Sequence, residues 1–285
     1  ARTQQSSAGL VVADSELASL AGMEILKRGG NAIDAAIATA LALSVVDQAS
    51  SGLGGGGFMV IYRAKDKKSF ALDFRETAPA ASRRELYVKD GKPVAAASLT
   101  GPLAVGVPGE AAGLIEAHKK FGTLPMAVLA APAVKLAADG FPLDATLRIA
   151  IERGVNNLKR YADLGRIYMP NGEVPKEGDP IRQPQLAVTI KALARQGGEV
   201  FYRGWVAEAI VDMVKKEGGV MTLDDLKNYQ AVWREPLIGS YRGRTVITMP
   251  PPSSGGVALL QMLNVVEGYK FDEFKHNSAP YLHLL

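Results

Sequence analysis

A run of twelve mostly apolar residues, 35–46, most constrains what this chain can fold into. It is interrupted only by Thr39 and Ser44 and lies between Asp34 and Asp47. Twelve residues are too few to span a bilayer, so the run predicts a buried core helix and no membrane span. The chain has 285 residues, of which 47% are hydrophobic and 22% charged. These values are typical of a globular protein with a sizeable core, and they exclude disorder and low complexity.

Helical and strand patterns alternate along the chain. A short strand is predicted at residues 9–13, a glycine run at 52–57 leads into a β-hairpin, and residues 161–184 are predicted to form a long surface loop. A second hairpin is predicted at 237–249, turning near Arg242 and Gly243. Further helices are expected at residues 110–120, 126–138, 143–158, 185–195, 205–217 and from about 257 to 268. Paired helices, hairpins and the lack of a repeat or linker favour a single-domain (1–285), layered α/β sandwich with antiparallel strands over a doubly wound sheet.

Charge and residue counts exclude several classes of function. Lys plus Arg number 33 and Asp plus Glu 29, and this surplus of +4 is scattered rather than gathered in a basic stripe, which argues against nucleic-acid binding. The chain has no cysteine, which excludes disulfides, thiolate metal sites and thiol catalysis. Its three histidines form no metal-binding motif, and no metal or cofactor is expected. A Ser-His-Asp triad is equally unsupported, and the expected role of His118 is that of a partly buried, hydrogen-bonded side chain.

Three segments remain as candidates for a site. The glycine run fits neither a Walker A nor a Rossmann template, so a structural turn and a substrate-side role remain equally open. Arg75 follows a predicted strand within Asp73-Phe74-Arg75-Glu76, where it either grips a carboxylate through two hydrogen bonds or, as the residues alone favour, forms an ordinary ion pair. The loop at 250–256 either caps the next helix through Ser254, the favoured interpretation, or lines a pocket.

Taken together, these segments resemble the gamma-glutamyltransferase family, also called gamma-glutamyl transpeptidase or glutathione hydrolase. They occur in the family's order, at about its spacing, across nearly the whole chain. The segments that carry the resemblance are residues 29–36 (GGNAIDAA), 52–58 (GLGGGGF), 73–79 (DFRETAP), 106–109 (GVPG), 183–184 (QP), 201–204 (FYRG) and 249–256 (MPPPSSGG).

The resemblance implies an αββα sandwich of the N-terminal nucleophile (Ntn) hydrolase type, made as a self-cleaving zymogen. In that family the N-terminal threonine of the small subunit attacks the γ-amide of glutathione or a related compound, and its own amine can act as base. Water or an amino acid or peptide acceptor then takes the glutamyl group, without a cofactor. Arg75 matches the family's large-subunit arginine, which binds the α-carboxylate of the γ-glutamyl group. The glycine run, Ser253 and Ser254 are assigned no ligand contact.

The sequence also departs from the family pattern. The family's small subunit begins with a Thr-Thr-His type sequence, whereas no two threonines are adjacent here. We therefore expect an incomplete large subunit, ending in the first turns of a helix at residues 278–285, with no catalytic residue in this chain. The remainder of the large subunit and the small catalytic subunit would come from the same precursor.

Two alternatives stay open. One is a glutaryl or cephalosporin acylase of the same fold, because its substrate also presents a terminal carboxylate. The other is a non-catalytic fragment that acts only as a scaffold. A start at Ala1-Arg2-Thr3 without Met, together with the family's usual location, predicts a periplasmic or extracellular protein whose signal peptide has been removed.

Overall fold

The computed structural model describes residues 5–284, which form twelve α-helices and nine short strands. The residues Ala1-Arg2-Thr3, on which the expected signal-peptide removal rests, and Leu285 lie outside this range. The helices are α1 (Glu16–Lys27), α2 (Ala32–Val46), α3 (Glu110–Phe121), α4 (Met126–Asp139), α5 (Ala145–Arg160), α6 (Ala162–Tyr168), α7 (Pro184–Gln196), α8 (Gly198–Tyr202), α9 (Trp205–Lys216), α10 (Leu223–Lys227), α11 (Ser254–Glu267) and α12 (Ala279–Leu284). The strands are β1 (Phe58–Arg63), β2 (Lys68–Asp73), β3 (Val88–Lys89), β4 (Lys92–Pro93), β5 (Phe141–Pro142), β6 (Pro180–Ile181), β7 (Val232–Arg234), β8 (Leu237–Tyr241) and β9 (Arg244–Thr248).

The chain divides into two compact units. Unit 1 comprises Ala1–Gly56 and Arg75–Gln230, and unit 2 comprises Gly57–Phe74 and Ala231–Leu285. Among the residues described, no helix is both long enough and apolar enough to cross a membrane. The predicted α/β class with antiparallel strands is confirmed, as are the helices α3, α4, α5, α7, α9 and α11 to within about three residues at each end.

Helix α2 is the centre of unit 1. The predicted buried core helix is confirmed, because Ile37, Ala38, Ala42 and Val45 are completely buried. Helices α1, α3 and α4 pack around it, and α7 packs on α4. Asn31 caps α2 as its position suggests: its Oδ1 accepts hydrogen bonds from the backbone N–H groups of residues 33 and 34, 2.8 and 3.0 Å away.

Two predicted features of unit 1 are wrong. Residues 9–13 form no strand, because in the described part of the chain they pair with no neighbour and instead run along α1, where Gly9 and Val11 approach Leu26 and Gly22. The predicted surface loop at 161–184 contains α6 and β6. The buried side chains of Tyr168 and Ile181 stabilise this segment. Its high content of Gly and Pro is typical of loops and led to the wrong prediction.

Unit 2 contains a three-stranded antiparallel sheet in the order β1-β2-β7 and the separate hairpin β8-β9. In the sheet, Phe58 lies opposite Asp73, and Asp73 opposite Val232. The second hairpin turns where predicted, at Arg242 and Gly243, with φ angles of 49° and 72°.

Helix α11 packs on β8 and begins after Ser253, whose side chain makes no capping hydrogen bond. The predicted cap by Ser254 is therefore wrong. A close backbone contact matters more at this helix start, because a Cβ on Gly256 would lie 2.1 Å from the Met249 carbonyl oxygen.

Candidate substrate-binding site

Arg75 lies two residues after the end of β2, as the sequence predicts, and its side chain is exposed. It lines a cavity of about 550 Å³ in unit 1, which we call the Arg75 cavity. Gly54, Glu76, Tyr87 and Gly106 also line this cavity. A guanidinium beside an open cavity of this size has room to receive a carboxylate in the bidentate, forked arrangement.

The glycine run lines a second cavity of unit 1, of about 540 Å³, which we call the glycine-loop cavity. Gln48, Glu76 and Glu110 face it together with residues 52–56. Since Gly54 and Glu76 line both cavities, the glycine run is adjacent to the predicted site residue.

Short backbone contacts hold the glycine run in place. The carbonyl oxygen of Gly55 accepts hydrogen bonds from the N–H groups of Gly109 and Glu110, 2.8 and 3.0 Å away, at the start of α3. A Cβ on Gly55 would lie 3.3 Å from Glu76 Oε1, and one on Gly106 only 2.9 Å from Glu76 Cβ. Gly106 thus has no room for a side chain beside Glu76, and a side chain at Gly55 would crowd the Glu76 carboxylate. These two glycines therefore have a structural role, which the sequence left undecided.

In unit 2, Gly57 needs a small residue for a different reason. A Cβ there would lie 2.9 Å from a ring carbon of Phe74. The N–H and carbonyl groups of these two residues also hydrogen-bond each other, at 3.3 and 3.0 Å. The last glycine of the run therefore continues the pairing of β1 with β2, which supports the structural interpretation for that residue.

Glu110 gives the glycine-loop cavity its electrostatic character. Burial, and next the negative charge of Glu76, raise the pKa of the Glu110 carboxyl to about 7. No local sequence pattern indicates this interaction, because the two residues are separated by 34 positions and come near each other only in the fold. Glu76 lines both cavities, whereas Glu110 lines the glycine-loop cavity and Arg75 lines its own. An anionic ligand group is therefore better placed in the Arg75 cavity, where it meets the cation, than beside both acids.

Asp73 forms an ion pair with Arg234 within unit 2. Its Oδ2 accepts a hydrogen bond from Arg234 Nε at 2.8 Å across the paired strands β2 and β7. The Asp73 side chain is only 8% exposed, so this ion pair is a structural contact at the sheet edge. Of the two acids in segment 73–76, Glu76 is the one that lines the Arg75 cavity.

Among the residues that the structure describes, no histidine lines the Arg75 cavity or the glycine-loop cavity. His118 Nε2 lies 2.7 Å from the Leu124 carbonyl oxygen, which confirms the predicted half-buried, hydrogen-bonded histidine. Within residues 5–284, no three His, Cys, Asp or Glu side chains are grouped closely enough to hold a metal ion.

Comparison with known proteins agrees with the motifs. The model of the family described as gamma-glutamyltranspeptidase matches residues 18–285. The glutathione hydrolase proenzyme of Bacillus subtilis (strain 168) is 42% identical over 279 residues, which are 97% of this chain and 47% of that protein. The chain therefore spans about half the length of the curated relatives it matches.

Solved structures give the same answer. The crystal structure of Helicobacter pylori gamma-glutamyltranspeptidase superposes with a TM-score of 0.95 at 38% identity, covering 99% of this chain and 81% of that chain. A cephalosporin acylase from Bacillus halodurans superposes with a TM-score of 0.84 at 32% identity, covering 100% of this chain and 54% of that chain. The family match over most of the sequence and the likeness in fold show that this chain belongs to the gamma-glutamyltranspeptidase family.

Proposed function

We propose that this chain is the N-terminal part, residues 1–285, of the large subunit of an enzyme that cleaves the γ-glutamyl amide of glutathione and related compounds. Membership of the gamma-glutamyltranspeptidase family and the name of the Bacillus subtilis relative support this activity. The proposal includes a single-domain chain that contributes to an αββα sandwich of the Ntn-hydrolase type. It also includes a periplasmic or extracellular location and a partner, the small catalytic subunit cleaved from the same precursor.

The proposed reaction passes through a threonyl ester. The hydroxyl oxygen of the small subunit's N-terminal threonine attacks the γ-carbonyl carbon, the C–N bond breaks, and the leaving amine takes a proton. Water or the amine of an acceptor then attacks the ester carbonyl, which releases glutamate or a new γ-glutamyl compound and restores the threonine. In this scheme residues 1–285 supply substrate binding and no nucleophile.

The observation that carries the proposal is Arg75 at the edge of its cavity. A free α-carboxylate distinguishes a γ-glutamyl amide from an ordinary peptide bond, and a forked cation is the side chain best suited to recognise it. We assign Arg75 to bind that α-carboxylate. The adjoining glycine-loop cavity is lined by Glu110 as well as Glu76 and lacks Arg75, so the Arg75 cavity is the more favourable of the two for the substrate carboxylate.

Substitution of Arg75 tests this assignment. In the protein expressed from its full reading frame, Arg75→Ala should weaken binding of a γ-glutamyl anilide by about 2–5 kcal/mol, seen as a large rise in KM. Arg75→Lys should give a KM between those of the wild type and Arg75→Ala, since an ammonium cannot form the forked pair. Arg153→Ala, which removes an exposed arginine from α5, is the matched control. An unchanged KM in Arg75→Ala would rule out the assigned role.

A second candidate function, hydrolysis of glutaryl or cephalosporin side chains, is favoured by the structural likeness to the cephalosporin acylase. Glutaryl groups also end in a carboxylate that Arg75 can bind, so the Arg75 variants alone do not separate the two activities.

A further inference from the structure

Tyr229 follows α10 and connects two parts of unit 1. Its hydroxyl donates a hydrogen bond to the carbonyl oxygen of Arg75, with 2.9 Å between the two oxygens. Its ring stacks on that of Tyr202, with centroids 5.7 Å apart and an angle of 9° between the planes. The backbone of Arg75 is thus held by a side chain that is itself held by an aromatic neighbour.

Tyr202 is a firm support for that stack. It is buried, and its hydroxyl donates to the Pro108 carbonyl oxygen and accepts from the N–H of Ala112, both at 3.0 Å. Burial raises the pKa of the Tyr202 hydroxyl well above its usual range, so this group remains a hydrogen-bond donor throughout the physiological range. The stack is therefore fixed to the start of α3, beside the glycine run.

Helix α10, which precedes Tyr229, also binds the backbone at Ala80, five residues after Arg75. The N–H of Ala80 donates to Asp225 Oδ1 of α10 at 2.8 Å. Asp225 is fixed in turn by the capping box of α10, in which its Oδ2 accepts from the N–H of Thr222 at 2.8 Å. Residues 75 and 80 are therefore both attached to the segment that runs from α10 to Tyr229.

We propose that Tyr229 is a positioning residue for Arg75, which sets how well the guanidinium meets the substrate carboxylate. This inference rests on the proposed function of Arg75. Arginine has a long side chain with many rotamers, and a bidentate contact needs the base of that side chain to point in one direction. The hydrogen bond from Tyr229 fixes the peptide plane at Arg75, and the stack on Tyr202 fixes Tyr229.

A double-mutant cycle in the protein expressed from its full reading frame tests this role. The variants are Tyr229→Phe, Arg75→Ala and the two combined. The substrates are a γ-glutamyl anilide and its analogue with the α-carboxylate replaced by a carboxamide. Tyr229→Phe keeps the ring stack and removes one hydrogen bond, so kcat/KM for the first substrate should fall about fivefold, mainly through KM. The carboxamide substrate should be unaffected, and Tyr229→Phe should have no effect when Arg75 is already alanine.

The results distinguish failure of the proposed role of Tyr229 from failure of the proposed role of Arg75. Equal losses on both substrates, or the same loss with and without Arg75, would mean a general structural role and would overturn the inference alone. If Arg75→Ala keeps the wild-type ratio of the two substrates, the proposed function fails and this inference with it. Tyr62→Phe, at a tyrosine that is 58% exposed on β1, is the control and should change neither substrate.

A second variant covers the case in which Tyr229→Phe does not fold. Asp225→Asn weakens the hydrogen bond to Ala80 at the other end of the same segment. It should lower kcat/KM for the carboxylate substrate selectively, by a few-fold, and again only when Arg75 is present. A non-selective loss in that variant overturns the inference.

Discussion

At the scale of single residues, Glu110 has an environment unlike that of an ordinary surface acid. Its carboxyl has a pKa of about 7 in the folded protein, because partial burial and, next, the negative charge of Glu76 disfavour its ionised form. In the unfolded chain the value returns to about 4.5. Between these two values the folded state holds a proton that the unfolded state has lost, so the contribution of Glu110 to the free energy of unfolding falls as the pH rises from 4.5 to 7.

Glu110→Gln should remove this dependence, since glutamine resembles the protonated acid and does not titrate. Relative to the variant, the wild-type protein should lose up to about 3 kcal/mol of unfolding free energy over that range, because one pKa unit corresponds to roughly 1.4 kcal/mol. Urea denaturation at pH 5 and pH 8 measures the difference. Glu208→Gln, at an exposed acid of α9, should follow the wild type. Parallel pH profiles for Glu110→Gln and the wild type would contradict the prediction.

At the scale of an element, the start of α2 depends on one buried acid. Asp34 is completely buried. It accepts hydrogen bonds from the N–H groups of Asn31 and Thr123, each at 3.0 Å, and from the Thr123 hydroxyl. Burial by itself raises the pKa of Asp34, but the hydrogen bonds from Thr123, Asn31 and Leu124 outweigh it, and the net pKa is lowered. One carboxylate thus joins the central helix of unit 1 to the loop between α3 and α4.

Asp34→Ala should lower the free energy of unfolding by about 3 kcal/mol at neutral pH, because three part-buried donors lose their charged acceptor. Since the folded pKa is lowered, this contribution is present above 3.8 and is lost as the pH falls through the folded value. Denaturant unfolding at pH 7 and pH 3 should therefore show a smaller difference from the wild type at pH 3. Asp212→Ala, at an exposed acid of α9, is the control. Equal differences at both pH values would count against the ionised form of Asp34 as the source of the effect.

The elements also show which parts of the structure local sequence can predict. The periodic helices and the Arg242-Gly243 turn were predicted correctly, because each depends on residues within a few positions of one another. The strand predicted at residues 9–13 was wrong, because a strand needs a pairing partner elsewhere in the chain, which local sequence does not reveal.

The candidate site likewise has features that local sequence predicts and features that depend on long-range contacts. The position of Arg75 after a strand was predictable from nearby residues. Its hydrogen bond from Tyr229 spans 154 positions, and the electrostatic repulsion between Glu76 and Glu110 spans 34. No local pattern reveals such interactions.

At the scale of the whole molecule, the two proposed activities act on substrates that share a carboxylate. A γ-glutamyl group carries an α-ammonium beside that carboxylate, whereas a glutaryl group does not. Under the proposed function, Arg75 binds the carboxylate that both groups carry, and no residue of this chain is assigned to the ammonium. If the proposed γ-glutamyl activity holds, the protein from the full reading frame should hydrolyse a γ-glutamyl anilide with a kcat/KM at least tenfold above that for the glutaryl anilide. Arg75→Ala should lower kcat/KM for both anilides by the same factor, because Arg75 contacts only what the two substrates have in common. A preference for the glutaryl anilide would favour the acylase function, and no release of aniline from either would favour a scaffold.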